Sequence, residues 1–205
     1  MSHRGVVSHR EVLEAELGEF QIELPPVQKL TLARYCDELA HWNKRINLTG
    51  LWGADMVRRL VVEPVWTGLQ LKPSGVLADI GSGNGSPAIP LHVVRGFNTC
   101  HLIEARTKRA AFLRNVTTTL KLPEIKVHLG RFEEVAQILG SPDWITLQAV
   151  ALTDELLDSI RLISSSTTKI VWITAQGVET ELLPMKTLTI PITGTQVLLF
   201  QLDLS

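Results

Sequence analysis

Apolar residues recur at helical spacing over the first third of the chain. From about residue 11 to residue 67 they lie three or four positions apart, beginning with Leu13 and Leu17. This period predicts amphipathic helices. Pro25-Pro26 separates the first two helices, and the stretch from Asn47 to Gly50 predicts a loop before the third. We therefore expect residues 1–72 to form a helical appendage.

Beyond Gly75 the pattern changes to short β-branched runs that alternate with helical stretches. This alternation predicts a parallel, doubly wound α/β sheet over residues 73–205. The last two runs flank Thr193-Gly194-Thr195, which predicts a C-terminal antiparallel hairpin. The predicted strands are Val76–Ile80, Thr99–Glu104, Ile125–Leu129, Ile145–Val150, Ile170–Thr174, Leu188–Ile192 and Gln196–Asp203, and predicted helices begin near Pro87 and span Lys108–Leu120 and Asp154–Ile163.

Composition narrows the class of protein. The chain has 205 residues, of which 45% are hydrophobic, enough for one sizeable core. Cys36 and Cys100 stand alone and the N-terminus lacks a secretory signal, so we expect a cytoplasmic protein without disulfides. No apolar run approaches the roughly 20 residues that a membrane span needs. The histidines have no metal-ligand spacing, so no metal site is expected.

Charge is unevenly distributed under a formal net value of -1. Residues 1–40 carry four basic and seven acidic groups, residues 41–131 carry thirteen and five, and residues 132–205 carry three and nine. The middle block therefore has a net charge of +8, which suits a polyanionic partner such as RNA. A solvated helix face would account for part of the same charge.

A glycine-rich loop lies where the first predicted strand meets its helix. Gly81, Gly83 and Gly85 alternate there, which permits a tight turn and close approach of the backbone to a ligand. A dinucleotide fingerprint would need glycine at Ser86, so the spacing disfavours NAD. An acid at the end of the second strand, Glu104, can accept the hydroxyls of an adenosine ribose. The alternative is a glycine turn without a ligand.

The combination of Asp79, the three glycines and Glu104 resembles the class I S-adenosylmethionine-dependent methyltransferases, which have a Rossmann-like fold. Four further segments make the resemblance more specific. The run Trp42-Asn43-Lys44-Arg45-Ile46-Asn47-Leu48-Thr49 is similar to the W-N-K-x-x-N-L-T signature of the bacterial small-subunit (16S) ribosomal RNA guanine-N7 methyltransferases, the glucose-inhibited division protein B family. The runs Pro87–Leu91, Lys108–Leu113 and Gly130–Glu133 match that family in the same order.

This resemblance implies S-adenosylmethionine as cofactor, ribosomal RNA or the small ribosomal subunit as partner, and a monomer. Guanine N7 carries a free lone pair, so its methylation needs no general base. The implied catalytic residues are Asn47 and Arg131. The implied cofactor-binding residues are Asp79, Gly81, Gly83, Gly85, Ser86, Glu104, Ala105, Phe132, Glu133 and Gln148, and the implied substrate-binding residues are Asn43, Lys44, Arg45, Arg58, Arg59, Lys108 and Arg109.

The chain departs from the family pattern at several positions, which makes it a divergent member. Arg59 replaces the usual His, and Val62-Glu63 replaces Asp-Ser. Gln148 and Gln176 stand where the family has Arg and Lys. These departures leave two alternatives open: a methyltransferase for another RNA or a small molecule, and a binding protein that keeps the fold without catalysis.

Overall fold

The alternating pattern beyond Gly75 folds as a seven-stranded sheet in a computed structural model that describes residues 8–175, 180 and 182–202. The strand order is β3-β2-β1-β4-β5-β7-β6. Strands β1 to β5 are parallel, and β7 lies antiparallel between β5 and β6. The strands are β1 (Val76–Ile80), β2 (Thr99–Glu104), β3 (Ile125–Leu129), β4 (Trp144–Gln148), β5 (Lys169–Thr174), β6 (Lys186–Thr189) and β7 (Gln196–Phe200).

The N-terminal third is helical. It comprises α1 (His9–Glu19), α2 (Pro26–Asn43) and a continuous helical segment that consists of α3 (Gly53–Val57), a π-helical turn (Arg58–Val62) and α4 (Glu63–Leu71). Ser8 caps α1 and exchanges hydrogen bonds with Glu11. Pro26 opens α2, where its missing N–H costs no helical hydrogen bond.

Four helical elements connect the strands. They are α5 (Ala88–Arg95), α6 (Thr107–Thr119), α7 (Phe132–Val135) followed by a 3₁₀ turn (Ala136–Ile138), and α8 (Asp154–Ile163). Helices cover both faces of the sheet, and its central strands are therefore continuous apolar runs. Among the described helices, none is both long and apolar enough to cross a membrane.

Each face of the sheet has its own hydrophobic cluster. On one face, Leu77 and Leu102 pack with α5, α6 and the N-terminal helices, so that Leu17 and Tyr35 belong to the same cluster as the sheet. On the other face, Ile80 and the neighbouring strands pack against α7 and α8. The helices before residue 72 share a hydrophobic core with the sheet. The division of the chain into two domains at this residue therefore stays a prediction.

The predicted α/β class, the parallel order of strands and the C-terminal hairpin are confirmed, and most predicted boundaries agree within two residues. Three details differ. β4 ends at Gln148 instead of Val150, the hairpin strands are shorter than predicted, and the π-helical turn and α7 were not predicted. Asp203, the predicted end of the last strand, lies outside the described residues.

Candidate functional site

The glycine loop leaves the carboxyl end of β1 in a conformation that side chains other than glycine resist. The φ angles are 71° at Gly81, 50° at Gly83 and 91° at Gly85, all in the left-handed region. A Cβ built on Gly85 would lie 2.6 Å from Ile89 Cδ1, which is too close for any real contact. Backbone conformation favours glycine at all three positions, and packing against Ile89 of α5 adds to this at Gly85. Gly81 is exposed, whereas Gly83 and Gly85 are buried.

Glu104, the last residue of β2, holds this loop in place. Its Oε2 accepts a hydrogen bond of 2.9 Å from the Gly83 N–H, and its Oε1 accepts one of 2.7 Å from the Arg106 N–H. The side chain is buried, and Arg109 Nη1 lies 3.6 Å from where a Gly83 Cβ would be. The acid predicted to hold a ribose therefore sits directly beside the glycine loop.

Asp79 lies beneath the loop and is almost fully buried. Its Oδ1 accepts a hydrogen bond of 2.6 Å from the Thr146 hydroxyl, whereas Oδ2 has no partner within the described residues. Removal from water raises the pKa of Asp79 to about 7, and the nearby Glu104 contributes in the same direction. Ionisation of this carboxyl is therefore costly in the folded chain.

Two cavities meet at Gly81, which lines both. The first has a volume of about 390 Å³ and lies between the glycine loop, Arg59, Arg109 and the end of β4. Ser86 Oγ donates a hydrogen bond of 2.9 Å to Gln148 Oε1 on its wall. The second, of about 360 Å³, is lined by the residues Ile80, Gly81, Ile103, Ala105, Gly130, Arg131, Phe132, Glu133, Val150, Ala151, Thr153 and Leu156.

These cavities suit the two parts of S-adenosylmethionine. The second is partly apolar and borders the ends of β2 and β3, which fits an adenine ring. The first is lined by the glycine loop, Arg59 and Gln148, whose polar groups fit an amino-acid moiety. All ten predicted cofactor residues lie along this path: Gly83, Ser86 and Gln148 line the first cavity, Ala105, Phe132 and Glu133 line the second, and Gly81 lines both. The other three line neither cavity: Gly85 belongs to the loop, Glu104 lies beside it and Asp79 lies beneath it.

The segment from Trp42 to Thr49 stabilises the rim of the first cavity. Asn43 is buried, and its Oδ1 accepts hydrogen bonds from the N–H groups of Leu48 (2.9 Å) and Thr49 (3.0 Å). Its Nδ2 donates to the Thr49 carbonyl at 2.9 Å. The structure thus places this predicted substrate-binding residue under the loop, where it orders residues 47–49. Asn47 itself is exposed, and its carbonyl accepts a hydrogen bond from Arg109.

The predicted basic residues occupy three different places. Arg58 bonds Glu16 and Glu19 of α1, with its Nε 2.6 Å from Glu16 Oε2, and does not line either cavity. Arg59 does line the first cavity. Arg45, Lys108 and Arg109 surround a third recess of about 360 Å³ together with Asn47. Within the described chain, neither these three residues nor the neighbouring Lys44 form an ion pair.

Sequence reasoning missed several residues that shape the site. Tyr35 is fully buried in α2, and its hydroxyl donates a hydrogen bond of 2.8 Å to the Asn84 carbonyl in the glycine loop. Thr146 is the partner of Asp79, and Thr195 contacts Arg59 across 136 positions of sequence. No local motif marks such residues, because their partners are remote in the chain. Gln176 lies outside the described residues.

The fold and the site define a class I S-adenosylmethionine-dependent methyltransferase, and solved structures of this fold are similar to the chain. The precorrin-6Y C5,15-methyltransferase of Geobacter metallireducens has a TM-score of 0.52 and 15% identity, covering 74% of this chain and 89% of that one. A mutant of MtNAS in complex with S-adenosylmethionine has a TM-score of 0.54 and 13% identity, covering 95% and 78%. At this identity, the likeness concerns the fold.

Sequence comparison identifies the family. The GidB family model, rRNA small subunit methyltransferase G, matches residues 28–198, and the chain belongs to this family. Proteins named ribosomal RNA small subunit methyltransferase G are 32% identical in Wolinella succinogenes (78% of this chain, 82% of that protein) and 32% identical in Neisseria meningitidis (75% and 72%). A third, from Chloroflexus aggregans, is 36% identical, and the match covers 63% of this chain and 57% of that protein. The chain is therefore an S-adenosylmethionine-dependent methyltransferase, as predicted.

Proposed function

We propose that the chain transfers a methyl group from S-adenosylmethionine to N7 of a guanine in small-subunit ribosomal RNA. The observation that carries this proposal is a family-matched cofactor cleft next to Lys44, Arg45, Lys108 and Arg109, which form no ion pair with the residues that the structure describes. The rRNA substrate is what the names of its relatives state for those proteins. The positive rim of the cleft is what a phosphate backbone requires.

Bound S-adenosylmethionine supplies an electrophilic methyl group on its sulfonium. The residues of the chain have the task of orientation, since holding two reactants in line accounts for much of such a rate enhancement. Glu104 and the glycine loop would hold the cofactor, and the Asn43 hydrogen bonds would hold the 47–49 loop at the opposite rim. The N7 lone pair needs no deprotonation, so the site requires no paired general base.

The substrate side of the proposal rests on the exposed residues around the third recess. Lys44, Arg45, Lys108 and Arg109 would bind RNA phosphates, and the splayed guanine would enter the first cavity. Asn47 and Arg131 are the proposed catalytic residues. The Asn47 amide is exposed next to the rim and can hydrogen-bond a guanine edge, while Arg131 borders the second cavity and would contact the cofactor. Arg58 is left out of the phosphate-binding set, because Glu16 and Glu19 already compensate its charge.

A two-stage assay tests the proposal. Labelled methyl transfer to small ribosomal subunits that lack the modification is measured first, with free rRNA in a parallel reaction. The labelled RNA is then cleaved chemically at N7-methylguanine. We expect one cleavage site in the small-subunit RNA. Label without cleavage at any guanine contradicts the N7 assignment, and label only in other RNAs contradicts the ribosomal substrate. Monomeric state and cytoplasmic location are proposed with this function, and light scattering tests the first.

A further inference from the structure

A buried polar cluster ties the N-terminal helical segment to the C-terminal hairpin beside the first cavity. Arg59 Nη1 donates a hydrogen bond of 3.0 Å to Thr195 Oγ1, which in turn donates one of 3.1 Å to Glu63 Oε1. Arg59 Nη1 also lies 3.4 Å from Glu63 Oε1. Glu63 is 1% exposed, so its carboxylate depends on these partners for compensation of its charge.

Only part of the Arg59 guanidinium is used by this cluster. A guanidinium has five N–H donors, and within the described residues Arg59 contacts only Thr195 and Glu63, both through Nη1. Its side chain is 42% exposed and lines the first cavity. Arg58, the preceding residue, binds two carboxylates through Nε and Nη2 and lies outside the cavity. One end of Arg59 is therefore fixed while its other donors remain available to a ligand.

The position of the cluster in the sheet indicates which part of a ligand it would meet. Thr195 immediately precedes β7, which begins beside Thr174 at the carboxyl end of β5. The cluster therefore lies at the same edge of the sheet as the glycine loop, but on the β5 side of β1. Glu104 and Arg109 lie on the opposite, β2 side. A ligand whose ribose is at Glu104 and that crosses the glycine loop extends toward Arg59.

We propose that Arg59 binds the α-carboxylate of the methionine moiety of S-adenosylmethionine, and that Thr195, held by Glu63, is a positioning residue for this guanidinium. The inference rests on the cofactor of the proposed function. A carboxylate suits a guanidinium with several N–H groups left, because the two planar groups form paired hydrogen bonds. RNA phosphate is the competing anion. We favour the carboxylate because Arg59 shares its cavity with five residues of the glycine loop, whereas Lys44, Arg45 and Lys108, which form no ion pair within the described residues, lie outside it. Arg109 also lines this cavity, but on the β2 side, next to Gly83 and Glu104.

Calorimetry with two ligands tests this assignment without RNA or turnover. S-adenosylhomocysteine carries the amino-acid moiety, whereas 5′-methylthioadenosine lacks it. For Arg59→Gln we expect affinity for S-adenosylhomocysteine to fall roughly 10- to 100-fold, the effect of losing hydrogen bonds to a charged group, with affinity for methylthioadenosine unchanged. The control is Arg161→Gln, which removes the same charge from an exposed pair with Asp158 on α8 and should change neither affinity.

The positioning role has its own test. Thr195→Val should weaken S-adenosylhomocysteine binding roughly 2- to 10-fold, less than the loss of the guanidinium itself because Arg59 keeps its contact with Glu63, and Thr195→Ser should restore it. Methylthioadenosine affinity should stay constant in both variants. A loss of affinity for both ligands, or no loss for Thr195→Val, overturns the positioning role. If Arg59→Gln does not fold, Arg59→Lys is used, which keeps the charge and loses the planar fork, and the same selective loss is expected.

Three outcomes distinguish the possible roles of Arg59 and test the proposed function. Equal weakening of both ligands in the Arg59 variant assigns a structural role and overturns the inference. Unchanged affinity for S-adenosylhomocysteine also overturns it, and a separate measurement of binding to ribosomal RNA then shows whether Arg59 contacts phosphate instead. Failure of the wild-type chain to bind S-adenosylhomocysteine contradicts the proposed function itself, so the two failures are distinguishable.

Discussion

Replacement of Asp79 by Asn should stabilise the fold above neutral pH. The Asp79 carboxyl is 1% exposed and one of its oxygens has no hydrogen-bond partner among the described residues, so its ionisation is disfavoured in the folded chain. Burial raises its pKa from 3.8 to about 7. Between those two values, the folded chain binds a proton that the unfolded chain has lost, and the free energy of unfolding therefore falls as pH rises. At 1.36 kcal/mol per pH unit, the full cost is about 4 kcal/mol above pH 7.

Urea unfolding measured from pH 4 to pH 8 checks this prediction. Asn cannot ionise, so the free energy of unfolding of Asp79→Asn should exceed that of the wild type by an amount that grows with pH and levels off near pH 7. Asp158→Asn is the matched control, since it removes an exposed carboxylate from a surface pair. If the Asp79→Asn curve runs parallel to the wild-type curve over this range, the carboxyl is not destabilised by burial and the argument fails.

Three further changes probe the cofactor loop, the rim and the phosphate contacts. Glu104→Ala should weaken S-adenosylhomocysteine binding by about 1.5–3 kcal/mol, because charge-assisted hydrogen bonds are lost, and calorimetry that shows equal affinity would mean that the loop is misassigned. Asn43→Ala removes three hydrogen bonds to the 47–49 loop. The kcat on ribosomal subunits should therefore fall, while the affinity for S-adenosylhomocysteine stays near that of the wild type. A fall in both quantities would indicate general unfolding. Lys108→Gln should weaken RNA binding and reduce the salt slope of log Kobs by roughly 1, whereas an unchanged slope contradicts a phosphate contact.

The fold was largely predictable because each strand of the sheet is a short apolar run between polar turns. Val76–Ile80, Thr99–Glu104 and Ile125–Leu129 were predicted with their observed limits. The π-helical turn at Arg58–Val62 was not predictable in this way, since its apolar spacing differs little from that of the flanking α-helices. The turn carries two arginines with different partners: Arg58 binds Glu16 of α1, whereas Arg59 binds the remote Thr195 and the local Glu63.

The candidate site was predictable where its chemistry is local in sequence. The glycines and Glu104 belong to one strand-loop-helix unit and its neighbouring strand, so a motif identifies them. The partners that support them are remote: Tyr35 is 49 residues from Asn84, and Thr146 is 67 residues from Asp79. A pattern of residue types does not encode contacts at such separations. For the same reason, the sequence pointed to Asn43 as a substrate ligand, whereas the structure gives it hydrogen bonds that order a loop.

The contact between Arg59 and Thr195 has a consequence for the synthesis of the protein. The two residues are separated by 136 positions, so Arg59 leaves the ribosome long before its partner exists. At roughly 5–20 residues per second, translation takes about 7–27 s to cover that distance. Glu63, which is buried in the complete fold, also lacks its hydroxyl donor Thr195 during this interval. The nascent chain can form β1 and the glycine loop early, but it acquires its complete cofactor cleft only after the hairpin has been made.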